Sequence, residues 1–282
     1  MSTAQAGAAG TIDLGGDLTV NRLGFGAMRL CAGYAWGPPR DRASAHRVLR
    51  RALELGVNFI DTADSYGPEV DEVLIAEALH PYPPGVVIAT KGGYVRGSHG
   101  GWTPDGRPEH LRRALEGSLK RLRVERIDLY QFHTPDSHVP FADSVGTLAE
   151  MQREGKIRHV GVSNVSVKQL TVARKICPIV SVQNEFNWDE RSSQDVLTAC
   201  ELLDVAFIPW YPLGSGSAAR AAKLKRIGDR HDATPTQVAL AWLLARSRAI
   251  LPIPGTSSVA HLEENVAAAA LKLLPEDLAS LS

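Results

Sequence analysis

The chain has 282 residues, 44% of them hydrophobic and 22% charged, a composition that excludes a disordered, collagen-like or coiled-coil chain and provides for a substantial core. Lys+Arg and Asp+Glu both number 31, so there is no electrostatic footprint for a nucleic-acid backbone or an anionic membrane. The three cysteines, Cys31, Cys177 and Cys200, lie far apart without a C-x-x-C spacing and indicate neither a disulfide framework nor a zinc site; no metal is expected.

Residues 1–10, MSTAQAGAAG, lack the cations and the following apolar run of a signal peptide and read as a disordered tail. No apolar run approaches the roughly 18 to 20 residues of a membrane helix, which together with the cysteine usage predicts a soluble, cytoplasmic protein. TIDL and DLTV around Gly15-Gly16 predict a β-hairpin with a two-residue turn. From Asn21 onward eight short apolar runs follow: RLGFG (22–26), VNFI (57–60), VVIAT (86–90), IDLYQF (127–132), HVGVS (159–163), IVSV (179–182), VAFIPW (205–210) and AILPIP (249–254). Between them lie segments with apolar residues at three- and four-residue spacing, such as those starting at Ala43, Glu69 and Pro108. Asp41 and Ser166 are placed as N-caps, Pro108 and Pro235 suit first turns, and Gly56 and Gly155 mark helix ends. Near-continuous apolar strands alternating with amphipathic helices predict a parallel sheet covered on its faces, and eight such units predict a (β/α)8 TIM barrel, with the N-terminal hairpin closing its bottom. Nothing divides residues 11–282, which are expected to form a single domain.

In such a barrel the site is built by the loops that follow the C-terminal ends of the strands. Five successive runs end in polar groups: Asp61 after VNFI, Lys91 after VVIAT, His133 after IDLYQF, Ser163 and Asn164 at the end of HVGVS, and Gln183 after IVSV. Tyr66 follows Asp61 in DTADSYG. Pairing with Asp61 would keep Lys91 charged, and the ammonium is expected to lower the Tyr66 pKa from about 10. Tyr66 could then donate a proton to a carbonyl oxygen that a neutral His133 also hydrogen-bonds. No side chain supplies a hydride, so carbonyl reduction requires a redox cofactor. A Schiff-base lyase with Lys91 as nucleophile is the second reading of the same residues. A metal-dependent hydrolase fits poorly, because His133 and His138 flank a Pro-containing loop and no second His joins Asp61.

FIDTADSYG, IATKGG, IDLYQFH, REGKIRHVGVSN, QNEFN, the PLGSG run and IPGTS with LEEN beyond it occur in order, and from about Thr11 to the C-terminus the chain resembles the aldo-keto reductase superfamily. The resemblance implies reduction of small aldehydes or ketones to alcohols by direct hydride transfer from a nicotinamide cofactor, with Asp61, Tyr66, Lys91 and His133 as a tetrad and Tyr66 as its acid. Ser163, Asn164 and Gln183 would hold the carboxamide, Asp61 lies beside it, Gly26, Ala27 and Met28 line the ribose, and Trp210 replaces the family's usual Tyr as the stacking face. Pro212, Leu213, Gly214, Ser215 and Gly216 would follow the pyrophosphate. Gly214–Ala219 also fits the Rossmann pattern G-x-G-x-x-A, but it falls late among the eight units, and the barrel reading takes its glycines as a close approach to phosphate.

Gly255 and His261 would lie toward the 2′-phosphate, Thr256 and Ser257 at the helix start would bind phosphate, Ile253 would be a further cofactor contact, and Glu264 and Asn265 would lie toward the adenine. The family often has Lys at the Gly255 position and Arg at the His261 position; neither cation is present here, so NADP is expected ahead of NAD on the resemblance, with NAD possible. Some relatives bind the cofactor as regulatory subunits with little turnover, a third reading. Tyr34, Trp36, Trp102 and Trp188 are candidates for an aromatic substrate wall. The chain ends at Ser282 without a long closing loop, and a broad substrate range is expected.

Overall fold

The computed structural model of the chain describes residues 5–33, 35–97 and 100–281. Strands β1 (Thr11–Leu14) and β2 (Leu18–Asn21) form the hairpin. The parallel strands are β3 (Phe25–Gly26), β4 (Phe59–Asp61) and β5 (Val87–Gly92), then β8 (Ile127–Phe132), β9 (Ile157–Ser163), β10 (Ile179–Gln183) and β11 (Ala206–Phe207). They pair in the order β3-β4-β5-β8-β9-β10-β11. A short antiparallel pair, β6 (Tyr94–Arg96) and β7 (Trp102–Pro104), rises from the loop after β5.

The run at 249–254, expected as the eighth strand, closes the barrel without forming a ladder. Leu251 N–H donates to the Phe207 carbonyl (2.9 Å), while Gly24 and Gly26 N–H donate to the carbonyls of Pro252 (2.9 Å) and Pro254 (3.4 Å). Pro252 and Pro254 have no N–H to return, so the bonds on the β3 side run one way and only the Phe207–Ile250 pair qualifies as a bridge.

Helices cover the outer face: α1 (Arg42–Glu54), α2 (Val70–Leu79), α3 (Pro108–Leu122), α4 (Phe141–Arg153), α5 (Val167–Ile176), α6 (Gln194–Leu203), α7 (Ala222–His231), α8 (Pro235–Arg246), α9 (Val259–Ala267) and α10 (Pro275–Leu281). The Asp41 carboxylate accepts from Ser44 N–H (3.0 Å) at the start of α1, Ser166 and Gln169 form a capping box on α5, and α3 and α8 begin on the expected prolines. Gly56 and Gly155 stop α1 and α4 with φ of 76° and 79°. Among the described residues no helix is long and apolar enough to cross a membrane.

Leu14, Leu18 and Val20 of the hairpin pack with Phe59, Val87, Leu129, Val180, Ala206 and Leu251 in one buried cluster. The hairpin is thus the floor of the barrel. Leu14 faces Leu18 in the ladder, so the turn holds three residues, Gly15, Gly16 and Asp17, rather than two. Asp17 at its end is pinned to β9, accepting from Arg158 (2.9 Å) and lying 2.5 Å from the ring of His159.

Residues 5–10 are not a disordered tail. Ala6–Ala9 form a 3₁₀ turn, with Ala6 buried and its N–H on the Leu55 carbonyl (2.9 Å). The small side chains that suggest disorder in sequence are what allow this close seat on the end of α1.

Leu14→Ala should cost about 2–5 kcal/mol, because the side chain is fully buried in the floor and the closed strands around it cannot collapse into the void. Equilibrium urea denaturation measures this, and a change under about 0.5 kcal/mol would mean that the hairpin does not plug the barrel.

Candidate active site

Asp61, Ser163 and Gln183 end their strands, Lys91 is next to last in β5 and His133 follows β8. The parallel register brings all five to one mouth. Burying an ammonium is costly unless each proton finds an acceptor, and Lys91, at 0% exposure, finds three. Its Nζ donates to Asp61 Oδ1 (2.7 Å), the Thr62 carbonyl (2.7 Å) and the Tyr66 hydroxyl oxygen (3.3 Å). The other Asp61 oxygen accepts from Gln131 Nε2 (3.1 Å) and Gln183 Nε2 (2.9 Å). Burial opposes the Lys91 charge, but Asp61 and Tyr66 overcome it and hold the pKa above the ordinary lysine value.

Because Tyr66 accepts from Lys91, its own proton is free to point elsewhere. Burial is the largest influence on this phenol and outweighs the ammonium, pushing its pKa up to about 12. The expected downward shift is therefore reversed: Tyr66 is a retained proton, not a half-ionised one. Burial and then the Lys91 charge hold the His133 pKa well below the ordinary histidine value, so the ring is neutral. Its Nδ1 lies 3.4 Å from Ser65 Oγ, and its ring meets Tyr94 edge to face at 4.7 Å.

A cavity of about 830 Å³ opens over these groups. Asp61, Tyr66, His133 and Trp102 face it, as do Gly26, Met28, Ser163, Asn164, Gln183 and Trp210. Asn164 sits with φ 57°; its Nδ2 donates to the His133 carbonyl (3.0 Å) and its Oδ1 accepts from Trp210 Nε1 (3.0 Å), which fixes the indole. Ser163 Oγ donates to the Gln183 carbonyl (2.6 Å). Pro212, Leu213, Ser215 and Gly216 form one wall, the last two in a 3₁₀ turn, Gly214–Gly216, which disposes of the Rossmann pattern. Ile253, Gly255, Thr256 and Ser257 face the cavity, as do His261, Glu264 and Asn265 of α9.

Not every predicted residue faces it. Lys91 lies behind Tyr66 and Asp61, Ala27 is buried in the main core, and Gly214 contributes only to the turn. Trp36 stacks on Arg96 (5.2 Å) and Trp188 packs against the main core, so neither is in the cavity wall. In both, packing against a neighbour claims the ring that the sequence leaves unplaced. Tyr34 lies outside the described residues.

Arg29, Tyr94, Tyr211, Thr234 and Thr236 face the cavity without having been predicted. Thr234 caps α8, and Thr234 and Thr236 both donate to Glu264, the former at 2.7 Å. Pro235 marks that helix start in sequence and could have pointed to them. A Cβ added at Gly255 would lie 2.5 Å from the Gly26 carbonyl oxygen and 3.3 Å from Arg29 Cγ. A side chain at 255 would have to displace the Gly26 backbone, and Arg29, which directly follows the predicted Gly26-Ala27-Met28, faces the cavity beside it.

A parallel barrel whose mouth places a tyrosine hydroxyl, backed by a buried ion pair, and a neutral imidazole on one cavity has the architecture of a barrel oxidoreductase. The profile of the Aldo/keto reductase family matches residues 22–282. The chain is 49% identical over 281 residues to an uncharacterized oxidoreductase of Schizosaccharomyces pombe, covering 99% of this chain and 91% of that one. It is 45% identical over 272 residues to pyridoxine 4-dehydrogenase of Escherichia coli, covering 94% and 95%. An aldo/keto reductase of Klebsiella pneumoniae, solved in complex with NADP and acetate, shares the fold with a TM-score of 0.83 at 25% identity, over 96% of this chain and 93% of that one. The chain belongs to the aldo/keto reductase family.

Asp61→Asn would leave the Lys91 ammonium buried without its counter-charge. A loss of about 3–5 kcal/mol is expected in chemical denaturation at neutral pH, and a neutral outcome would mean that the charge of Asp61 is not what holds Lys91.

Proposed function

We propose that the protein is an NADPH-dependent carbonyl reductase that uses Tyr66 as its general acid. The observation that carries this is the Tyr66 hydroxyl: on the cavity wall, still protonated, and fed from behind by a charged Lys91. The cavity suits a dinucleotide in size and chemistry. It offers an indole face at Trp210, amides at Asn164 and Gln183, and, where α9 begins, the hydroxyls of Thr256 and Ser257 beside Arg29. NADPH bound there supplies the hydride for the carbonyl carbon.

The protein's own groups do the rest. Tyr66 gives its proton to the carbonyl oxygen, and Lys91, paired with Asp61, stabilises the tyrosinate left behind. In the tautomer in which Ser65 Oγ, 3.4 Å away, donates to Nδ1, His133 carries its proton on Nε2 and, being neutral, hydrogen-bonds the same oxygen without competing as an acid. A Schiff base on Lys91 is disfavoured, because the amine is fully buried, charged and off the cavity wall. NADP is favoured over NAD by Arg29, Ser257 and His261 and by the NADP-bound Klebsiella relative. The likeness to pyridoxine 4-dehydrogenase makes pyridoxal, the corresponding aldehyde, the first substrate to test.

Titration of the purified protein with NADPH and NADH, followed by tryptophan fluorescence, should give saturable quenching with tighter NADPH binding. Binding of neither would sink the reading. His261→Arg should tighten NADPH further if position 261 faces the 2′-phosphate. Tyr66→Phe should abolish reduction with the NADPH Kd unchanged, and retention of most of kcat would remove Tyr66 from the acid role.

The pH dependence follows from the same groups. Tyr66 works as its protonated form, which persists as pH rises toward about 12, and His133 works as its neutral form, which persists as pH falls well below its ordinary value. Reduction kcat/KM should therefore be flat from about pH 6.5 to about pH 10, and a bell inside that window would contradict both assignments.

A further inference from the structure

The β6–β7 pair carries two of the aromatic rings at the mouth. Tyr94 and Trp102 both face the cavity. Their rings meet edge to face at 5.2 Å, and Trp102 stands across from Tyr66 (6.2 Å) and His133 (6.1 Å) at 76° to each. A two-stranded hairpin alone is marginal in water, so something must hold these rings in place. Among the described residues from 94 to 104, Arg96 is the one whose side chain makes hydrogen bonds. Its Nη1 donates to the carbonyls of Ala35 (3.0 Å) and Ser65 (3.0 Å), and its Nη2 donates to that of Gly100 (3.1 Å). Ser65 directly precedes Tyr66. The same guanidinium lies 3.8 Å from the Trp102 ring centroid and 5.2 Å from that of Trp36. Arg96 itself does not face the cavity.

We propose that Arg96 is a specificity-determining positioning residue: by tying β6–β7 to the Ser65 backbone and stacking on Trp102, it fixes an aromatic wall against Tyr66 and His133 that selects flat, uncharged aromatic aldehydes. The proposal rests on the reductase reading above. Only a planar fork with a flat face can bind three carbonyls from three segments and stack on an indole at once, which is why an arginine serves here and a lysine would not. The substrate-side wall formed by Tyr94, Trp102 and His133 carries no charged group, so a planar ring gains contact there while a small aliphatic chain gains little.

The test compares benzaldehyde with propanal in the native protein, Arg96→Ala and Arg96→Lys, with NADPH binding measured by calorimetry. The native protein should prefer benzaldehyde. In Arg96→Ala, KM for benzaldehyde should rise about tenfold, with propanal kinetics and the NADPH Kd within about threefold of native. Arg96→Lys, which keeps the charge and loses the fork, should show the same split and carries the test if the alanine variant fails to fold. Arg96→Ala combined with Trp102→Ala should lose no more than Trp102→Ala alone, since the two act as one unit. Equal losses on both aldehydes, additive losses in the double variant, or no change in KM would overturn the role of Arg96. A native protein that binds NADPH and reduces neither of these aldehydes nor pyridoxal would instead overturn the reductase reading, and the specificity role with it.

Discussion

Three protons on one buried nitrogen organise the mouth of this barrel. An ammonium removed from water must place every N–H on an acceptor, and Lys91 uses Asp61, the Thr62 carbonyl and Tyr66. Each partner constrains the next. Asp61 is fixed by two glutamine amides, from β8 and β10, so these two strands, one of them not next to β5, must hold register with β4 and β5. Tyr66 is obliged to accept rather than donate, and that frees its proton for the cavity. The pair adds little net stability, since desolvating two charges offsets most of their attraction. Its consequence is an oriented, protonated phenol over a fixed positive charge.

Such a centre requires a rigid frame, and the frame closes in an unusual way on one side. The 249–254 segment accepts from Gly24 and Gly26 through proline carbonyls and donates through Leu251 on its other edge. The prolines that prevent a regular ladder also carry the chain directly to Gly255, where the backbone comes so close to Gly26 that a side chain is excluded. A side chain at 255 would have to push the two backbones apart, while Arg29 faces the cavity from the neighbouring loop.

The alternation of apolar runs and amphipathic helices carried the barrel, because a buried parallel strand and a surface helix have different periods. That Asp61, Lys91 and His133 meet at one mouth was legible for a similar reason, since a polar residue ending an apolar run has one place to go in a barrel; Tyr66 lies in the loop after Asp61 and ends no run. What burial does to those groups was not legible. The sequence shows that Lys91 can approach Tyr66, which argues for a lowered phenol pKa, but only the packed structure shows that desolvation outweighs the charge. Residues 5–10 failed in the opposite direction, since Ala-Gly-Ala-Ala has no periodicity to betray that one methyl is fully buried.

The aromatic residues were the least legible, and the reason is geometric. A tryptophan in a loop has no period to assign its face, so Trp36, Trp102 and Trp188 were equivalent in sequence and differ entirely in place. Trp102 reaches the cavity because it pairs with Arg96 across β6–β7 in register, while Trp36 becomes the outer face of the same guanidinium stack. The substrate side of the mouth therefore depends on a cross-strand pair in a hairpin too short for its alternation to stand out in sequence. The buried centre rests on strand ends together with the loop after β4, whereas the proposed selectivity rests on a hairpin held in place by one planar cation.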